Sequence, residues 1–146
     1  MSHDDRLAFF QSHHEPHVVQ PDGWPAPRGY SNGVTARGRT LAVAGQVGWD
    51  PLTGEFESDD FVRQAAQALR NVAAVLHVAG AEPRHVVRLT WYITSRDAYL
   101  AAQRELGAAY REVFGAHYPA MSAVIVAGLI EPRALVEIEA TAVVPD

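Results

Sequence analysis

Two carboxylates that could perform acid–base chemistry occur near the end of the chain. Glu137 and Glu139 are two residues apart in a segment, Ala134 to Val144, where apolar and polar residues alternate. Because successive side chains of a strand point to opposite faces, both carboxylates project from one face, about 7 Å apart. A carboxylate in a partly dry cleft can act as a general base or orient a water molecule. The alternative is that both are solvated or form salt bridges with Arg88 or Arg133.

Composition excludes several other kinds of catalytic chemistry. The chain has no cysteine, which rules out disulfides, thiolate metal sites and a cysteine nucleophile. All 12 basic residues are arginine, so Schiff-base and P-loop lysine chemistry are impossible. Ser31 lies in no recognisable nucleophile motif, and the segment from Gly45 to Gly48 lacks the Gly-x-Gly-x-x-Gly spacing of a dinucleotide site. We therefore predict no cofactor and no covalent serine catalysis.

The charge balance and the first residues limit the partners and the location. With 17 acidic residues against 12 basic ones, the formal charge is -5, which disfavours binding to a phosphate backbone. Met1 to Asp5 is acidic where a secretory signal needs positive charge. The longest uncharged apolar run, Ala120 to Ile130, is far shorter than the roughly 20 residues of a membrane span. We expect a cytoplasmic protein that binds neither nucleic acid nor membranes.

The N-terminal 27 residues differ from the rest of the chain. Asp4 to Gln11 could form a short amphipathic helix, but the histidines and prolines that follow cannot continue it. We interpret residues 1–27 as an arm or lid and residues 28–146 as one folded domain. Three clustered histidines of the arm are His13, His14 and His17. Imidazoles can hold a transition metal, but a terminal segment flanked by prolines is seldom rigid enough to preorganise ligands, so we predict no metal site.

The first half of the domain predicts two strands and a helix. Small and β-branched residues from Tyr30 to Ala36 and from Thr40 to Val47 predict two strands, joined as an antiparallel hairpin by the turn between them. Ser58 to Asp60 offers N-cap residues, and apolar residues then recur with helical period until Gly80. This helix is the clearest element in the sequence.

The second half predicts one strand, a second helix and two further strands. Alternation from Val87 to Thr94 predicts the strand, and Asp97 is the expected cap of a helix that ends at Gly115. Ala120 to Ala127 and Ala134 to Val144 are rich in β-formers. The order β-β-α-β-α-β-β predicts an α+β sandwich in which both helices cover one face of a mixed β-sheet.

The other face of this sheet has a consequence for assembly. Apolar residues would be exposed there, and they are Val124, Val126, Leu135 and Val143. Monomeric proteins rarely expose large contiguous apolar patches. We therefore expect further copies of the chain to cover this face.

Several short motifs occur in order between residues 28 and 144. They are Gly29-Tyr30-Ser31, Ala44-Gly45-Gln46, Asp50-Pro51-Leu52-Thr53-Gly54-Glu55, Gln64 and Asn71 in the first helix, Ala79-Gly80, Pro119-Ala120-Met121-Ser122, and Val136-Glu137-Ile138-Glu139-Ala140. In combination they resemble the Rid family, also called the YjgF family. The resemblance implies a chorismate-mutase-like α+β fold assembled as a homotrimer, with small-molecule sites in the clefts between subunits.

The resemblance also implies an activity and a set of site residues. Family members hydrolyse reactive 2-imino and 2-enamino acids to 2-keto acids and ammonia, without cofactor or metal. The arginine of the family's Pro-Ala-Arg-Ser/Thr motif holds the substrate carboxylate, the tyrosine of Gly-Pro-Tyr-Ser lines the cleft, and the first Glu of Glu-Ile-Glu is associated with the attacking water. Carried over, these positions are Met121, Tyr30 and Glu137, with Ser122 beside the first. Because the catalytic position is the first Glu of this motif, we expect Glu139 to have a structural role.

Met121 is the most consequential departure from the family pattern. A guanidinium binds a carboxylate through two charge-assisted hydrogen bonds, whereas a thioether offers only dispersion and a weak acceptor. Ala44 and Gly29 stand where relatives have serine and proline, which makes the pocket less polar. Arg28 could supply a charge from a new direction, although a surface or interface salt bridge is its simpler role. We predict little activity on 2-aminoacrylate-type substrates and a ligand less dependent on carboxylate recognition.

Three functions stay open at the level of sequence. The first is an imine or enamine hydrolase (deaminase) with a divergent pocket between subunits. The second is a non-catalytic small-molecule-binding or regulatory trimer that keeps the cleft without the chemistry. The third, endoribonuclease activity, is disfavoured by the net charge and the absence of lysine. Release of ammonia from imines generated in situ distinguishes the first two.

Overall fold

The computed structural model describes residues 16–146 and contains two sheets and three α-helices in that range. The elements in chain order are β1 (His17–Val19), β2 (Gly33–Thr35), β3 (Arg39–Val47), α1 (Phe61–Val78), a 3-10 turn (Pro83–His85), β4 (Val86–Ile93), α2 (Arg96–Ala101), α3 (Gln103–Phe114), β5 (Ala120–Ile125) and β6 (Val136–Val144). The predicted α+β class with a mixed sheet is confirmed. None of these helices is long and apolar enough to cross a membrane.

The main sheet has four strands in the order β3-β6-β4-β5. Strand β6 pairs antiparallel with both β3 and β4, and β4 pairs in parallel with β5. Helices α1 and α3 pack on one face, where they bury alternate residues of β4 and β6 in a common core. Representative fully buried members are Leu69, Leu76, Leu89 and Ile138. The alternation predicted for β6 is confirmed, since every second residue from Val136 to Val144 is buried.

Helix α1 begins where the sequence predicts. The Asp60 carboxylate accepts a hydrogen bond from the Arg63 backbone N–H at 3.0 Å, which satisfies one of the free amides of the first turn. The helix ends at Val78, and Gly80 follows with a φ of +76°, a conformation that favours glycine. The local cap and stop signals therefore suffice to define this element.

The predicted hairpin of the first two strands is wrong. Strand β2 pairs with β1, and β3 pairs with β6, about a hundred residues further along the chain. The two strands are in close contact where β3 begins, because a Cβ on Gly38 would lie 2.2 Å from the Val144 carbonyl oxygen. The backbone thus runs directly against the end of β6. Strand β1 was not predicted, and it lies in the segment interpreted as an arm.

The predicted second helix is divided into α2 and α3. Ser95 caps α2, since its hydroxyl accepts a hydrogen bond from the Ala98 N–H at 3.1 Å, so the predicted cap at Asp97 is wrong by two residues. Asp97 lies instead in the first turn. The predicted end at Gly115 is confirmed, with a φ of +64°.

Candidate functional site

A cavity of about 520 Å³ opens between helix α3 and the β4–β5 side of the sheet. Its lining residues are Arg28, Gly29, Tyr30, Trp91, Tyr99, Gln103, Leu106, Gly107, Tyr110, Arg111, Tyr118, Met121 and Ala123. Three residues predicted for the substrate pocket therefore meet here, namely Arg28, Tyr30 and Met121. The volume lies in the range of about 300–1,000 Å³ that is usual for small-molecule sites.

The parallel pairing of β4 with β5 directs Met121 into this cavity. Met121 is the register partner of Leu89, which is fully buried under the helices, and Ala123 is the partner of Trp91. Side chains of neighbouring partners project from the same face of a sheet. Met121 is therefore a wall residue on the helix side, partly buried against the core.

Ser31 holds the loop that carries Tyr30 and Arg28. Its hydroxyl donates to the Tyr118 carbonyl at 2.5 Å, and its N–H donates to the Pro119 carbonyl at 3.0 Å. The side chain is 7% exposed and engaged in this anchor. Its role is to fix the loop beside β5, which brings Tyr30 to the mouth of the cavity.

Tyr110 and Tyr118, which line the cavity, belong to a stack of three rings whose third member is Phe114. The ring of Tyr110 lies 5.1 Å from that of Phe114 and 5.5 Å from that of Tyr118, centroid to centroid. The Tyr110 hydroxyl donates to the His117 carbonyl at 2.5 Å. Burial, with a smaller contribution from Tyr118, raises the pKa of Tyr110 above its ordinary value. Tyr110 and Tyr118 thus give this side of the cavity a closely packed aromatic surface.

Glu137 and Ser122 lie on the opposite face of the sheet. Glu137 is the register partner of Tyr92, while its neighbours Val136 and Ile138 are fully buried on the helix side. Ser122 pairs with Thr90 and is exposed. Within one chain, the structure therefore does not bring these two predicted site residues into the cavity.

The Glu137 carboxylate lies across the backbone of β3. A Cβ on Gly45 would be 2.6 Å from Oε1 of Glu137, so only glycine leaves the carboxylate in this position. Gly45 lies where the register of β3 with β6 shifts, between Val43 and Gln46. Gly45 thus makes room for the candidate general base.

Glu139 has a partner, whereas the salt bridges considered for the two carboxylates are absent from residues 16–146. The Tyr92 hydroxyl donates to Oε1 of Glu139 at 2.6 Å, and this hydrogen bond raises the pKa of Tyr92. Arg133 pairs instead with Asp59 at 2.8 Å. Glu139 therefore has the structural contact expected of it.

Two buried amides hold the ends of the strands that carry the site. Gln64 donates to the carbonyls of Ser58 and Arg133 at 2.9 and 3.1 Å and accepts from the Leu135 N–H at 2.8 Å. Asn71 donates to the carbonyl of Val47 at the end of β3 at 3.1 Å. Gln64 thus fixes the chain at Leu135, two residues before Glu137, and Asn71 fixes the end of β3.

Sequence reasoning missed several residues of the cavity, above all Arg111. The side chain lies on α3 four residues after Gly107, on the helix face that adjoins β5. A glycine inside a helix, one turn before an arginine, was a signal that could have pointed to it.

No metal centre emerges from the residues that the structure describes. Among them, no group of three or more His, Asp or Glu side chains is placed to hold an ion. His17 is exposed on β1, and the other two clustered histidines, His13 and His14, lie outside the described residues.

Comparison with known proteins gives consistent matches. The family model described as Endoribonuclease L-PSP matches residues 24–144, which include every residue that lines the cavity. A 2-iminobutanoate/2-iminopropanoate deaminase of Mus musculus is 38% identical over 128 residues, covering 86% of this chain and 90% of that protein. A RutC family protein of Pyrococcus horikoshii is 36% identical over 126 residues, covering 86% and 95% of the two chains. A crystal structure of a Rid-family protein of unknown function from Yersinia pestis has a TM-score of 0.76 at 38% identity, covering 89% of this chain and 99% of that chain.

Proposed function

Because the chain belongs to the Rid family, also called the YjgF family, we propose that it is a cofactor-independent hydrolase of imines or enamines with a divergent pocket. Water adds to the C=N carbon, the resulting carbinolamine collapses, and the products are a carbonyl compound and ammonia. The observation that supports this most is the meeting of two motif positions, Tyr30 and Met121, in one cavity. The mouse relative, a 2-iminobutanoate/2-iminopropanoate deaminase, supports the same reaction class.

The position of Glu137 favours a site shared between subunits. Its carboxylate and the cavity lie on opposite faces of one sheet, so the sheet separates them within a chain. In the proposed homotrimer, Glu137 of one subunit faces the cavity of the next. Val124 and Ile125 are 42% and 45% exposed on the edge strand and offer apolar surface for such an assembly. Sedimentation should give three times the 15.9 kDa of one chain, and a single-chain mass at micromolar concentration would contradict the shared site.

In this mechanism Glu137 orients or deprotonates the attacking water. Among residues 16–146 its carboxylate has no hydrogen-bonding partner, so its oxygens are available to water, whereas Glu139 already accepts the Tyr92 hydroxyl. A correctly placed general base contributes typically about 10²–10⁴-fold to the rate. The two carboxylates of one strand therefore have different expected roles.

The test measures ammonia release from a panel of imines generated in situ. Glu137→Gln keeps the size of the side chain and removes the base, so kcat should fall by about 10²–10⁴-fold. Glu139→Gln is the matched control on the same face and should retain most of the activity. A Glu137→Gln variant with full kcat, or a loss confined to Glu139→Gln, would refute this assignment.

Met121 sets the expected substrate preference. Leaving a desolvated carboxylate without its charged partner costs about 2–5 kcal/mol, which is roughly 30- to 5,000-fold in affinity. We therefore expect little turnover of 2-aminoacrylate-type substrates, whose carboxylate depends on this position. Arg28 lines the same cavity and is the candidate for a substitute cation that the sequence suggested.

A non-catalytic binding or regulatory protein is the second candidate, and the replacement of the clamp arginine by Met121 favours it. Such a protein would bind small molecules in the cavity and release no ammonia from any imine in the panel. Endoribonuclease activity has less support because the formal charge is -5, and RNA binding that rises steeply as salt falls would revive it. The cytoplasmic location expected from the sequence stays a prediction.

A further inference from the structure

A glycine one turn before Arg111 leaves room for its guanidinium beside the cavity. A Cβ on Gly107 would lie only 3.3 Å from Nη1 of Arg111, so the guanidinium extends back along α3 across the bare glycine. Helix side chains point towards the N-terminus and meet residues four positions earlier. Glycine destabilises a helix interior relative to alanine. The room that Gly107 leaves for the guanidinium gives a reason for a glycine at this position.

The cavity is positively charged although the chain as a whole is negative. Arg111 and Arg28 both line it, and no carboxylate does so among residues 16–146. The arginine–carboxylate ion pairs of that range use Arg39, Arg84 and Arg133 instead. Two guanidiniums without a neutralising carboxylate on the wall favour an anionic ligand.

The rest of the wall is largely aromatic, and the cavity is larger than a small imino acid needs. Its rings belong to Tyr30, Trp91, Tyr99, Tyr110 and Tyr118. The sulfur of Met121 faces the same space, and thioethers make favourable contacts with aromatic rings. Trp91 is 3% exposed, so its ring is a firmly packed part of this wall. A cavity of about 520 Å³ with such walls fits a planar ring beside a charged group.

We infer that Arg111 binds the carboxylate of the ligand in place of the residue lost at position 121, and that the ligand carries an aryl group. The inference rests on the proposed function because it concerns the same pocket, and it narrows the substrate class to aryl-bearing 2-imino acids. Arg28 lies in the loop at the mouth and contributes less, since α3 fixes the position of Arg111. In this inference a residue of α3 binds the ligand carboxylate, whereas the sequence alone predicted a ligand that depends less on carboxylate recognition.

The test is direct binding of a stable probe, measured by isothermal titration calorimetry on the full chain. The probe is 3-phenylpropanoate, with propanoate lacking the ring and 3-phenylpropanamide lacking the charge as ligand controls. Arg111→Met removes the proposed clamp, and Arg111→Lys keeps the charge without the bidentate geometry. Arg104→Met is the matched protein control, because Arg104 is exposed on the same helix and does not line the cavity.

We expect 3-phenylpropanoate to bind more tightly than either control ligand. Arg111→Met should weaken it at least about tenfold, the loss of one charge-assisted hydrogen bond, with Arg111→Lys intermediate and Arg104→Met within about twofold of the native protein. Failure of the native protein to bind the probe at millimolar concentration, equal binding of propanoate, or a loss produced by Arg28→Met and not by Arg111→Met would overturn the inference.

The outcome is independent of turnover. Binding that depends on Arg111, without ammonia release from any imine, would sustain this inference and refute the hydrolase. Hydrolysis of small imines with no binding of 3-phenylpropanoate would refute this inference and support the hydrolase.

Discussion

Replacing Gln64 by methionine tests how the start of β6, and with it Glu137, is held in place. The Gln64 side chain is 1% exposed and makes three hydrogen bonds, donated to the carbonyls of Ser58 and Arg133 and accepted from the Leu135 N–H. Methionine has a similar volume but can form none of these three hydrogen bonds. The core therefore stays filled while the hydrogen bonds are lost.

The expected loss follows from these contacts. Each hydrogen bond contributes about 0.5–1.5 kcal/mol net, and a buried group left without a partner costs about 1–3 kcal/mol. Ser58, Arg133 and Leu135 are partly or fully exposed, so the three freed backbone groups regain part of their hydration, and the loss stays below the full cost of three buried groups without partners. Gln64→Met should therefore lower the free energy of unfolding by about 2–4 kcal/mol.

Urea unfolding followed by circular dichroism measures this value, at a fixed protomer concentration because assembly contributes to stability. Gln67→Met is the matched control on the same helix, since within residues 16–146 the amide of Gln67 bonds only to the side chains of Asn71 and Arg70, both on α1. The control should lose less than about 1 kcal/mol. Equal losses in the two variants would show that the amide of Gln64 does not hold β6, and the reasoning would fail.

Three further substitutions address the site. Gly45→Ala places a methyl group about 2.6 Å from Oε1 of Glu137, so the carboxylate must move, and ammonia release should fall with little change in the urea midpoint; unchanged turnover would separate this carboxylate from the chemistry. Glu139→Gln replaces the charged acceptor that raises the pKa of Tyr92 with a neutral amide oxygen, so the ionisation of Tyr92, followed by alkaline ultraviolet absorbance, should shift to lower pH. Because the folded pKa is raised, the stabilisation is complete below the ordinary value of 10 and is lost as the pH rises through the folded pKa, and an unshifted titration would contradict this contact. Met121→Arg should increase turnover of 2-aminoacrylate-type substrates, at most by the roughly 30- to 5,000-fold that the complete absence of a clamp costs and by less where Arg111 already binds the carboxylate; native turnover equal to that of an arginine-bearing relative would contradict the expected substrate preference.

Local signals predicted the elements that depend on neighbours along the chain. The cap at Asp60 and the glycine at position 80 define α1, and the alternation from Val136 to Val144 defines which side of β6 is buried. These features are readable because a helix cap involves residues three apart and a strand repeats every two residues.

Pairing between strands was predicted less well. The sequence suggested that β2 and β3 form a hairpin because they are adjacent, but β3 pairs with β6 at the other end of the chain. Adjacency favours pairing only on average. The close approach of Gly38 to Val144, at the point where β3 begins, joins residues that no local pattern connects.

The sequence by itself determined that Glu137 and Glu139 share a strand face, that Met121 stands where a clamp arginine is expected, and that one long amphipathic helix covers a sheet. Only the tertiary structure decided that Met121 and Glu137 lie on opposite faces of that sheet, and that Arg111 enters the cavity from α3. The physical reason is that periodicity specifies which residues of one element lie together, whereas a site is built by the register between elements far apart in the chain, and that register depends on packing that no single segment contains.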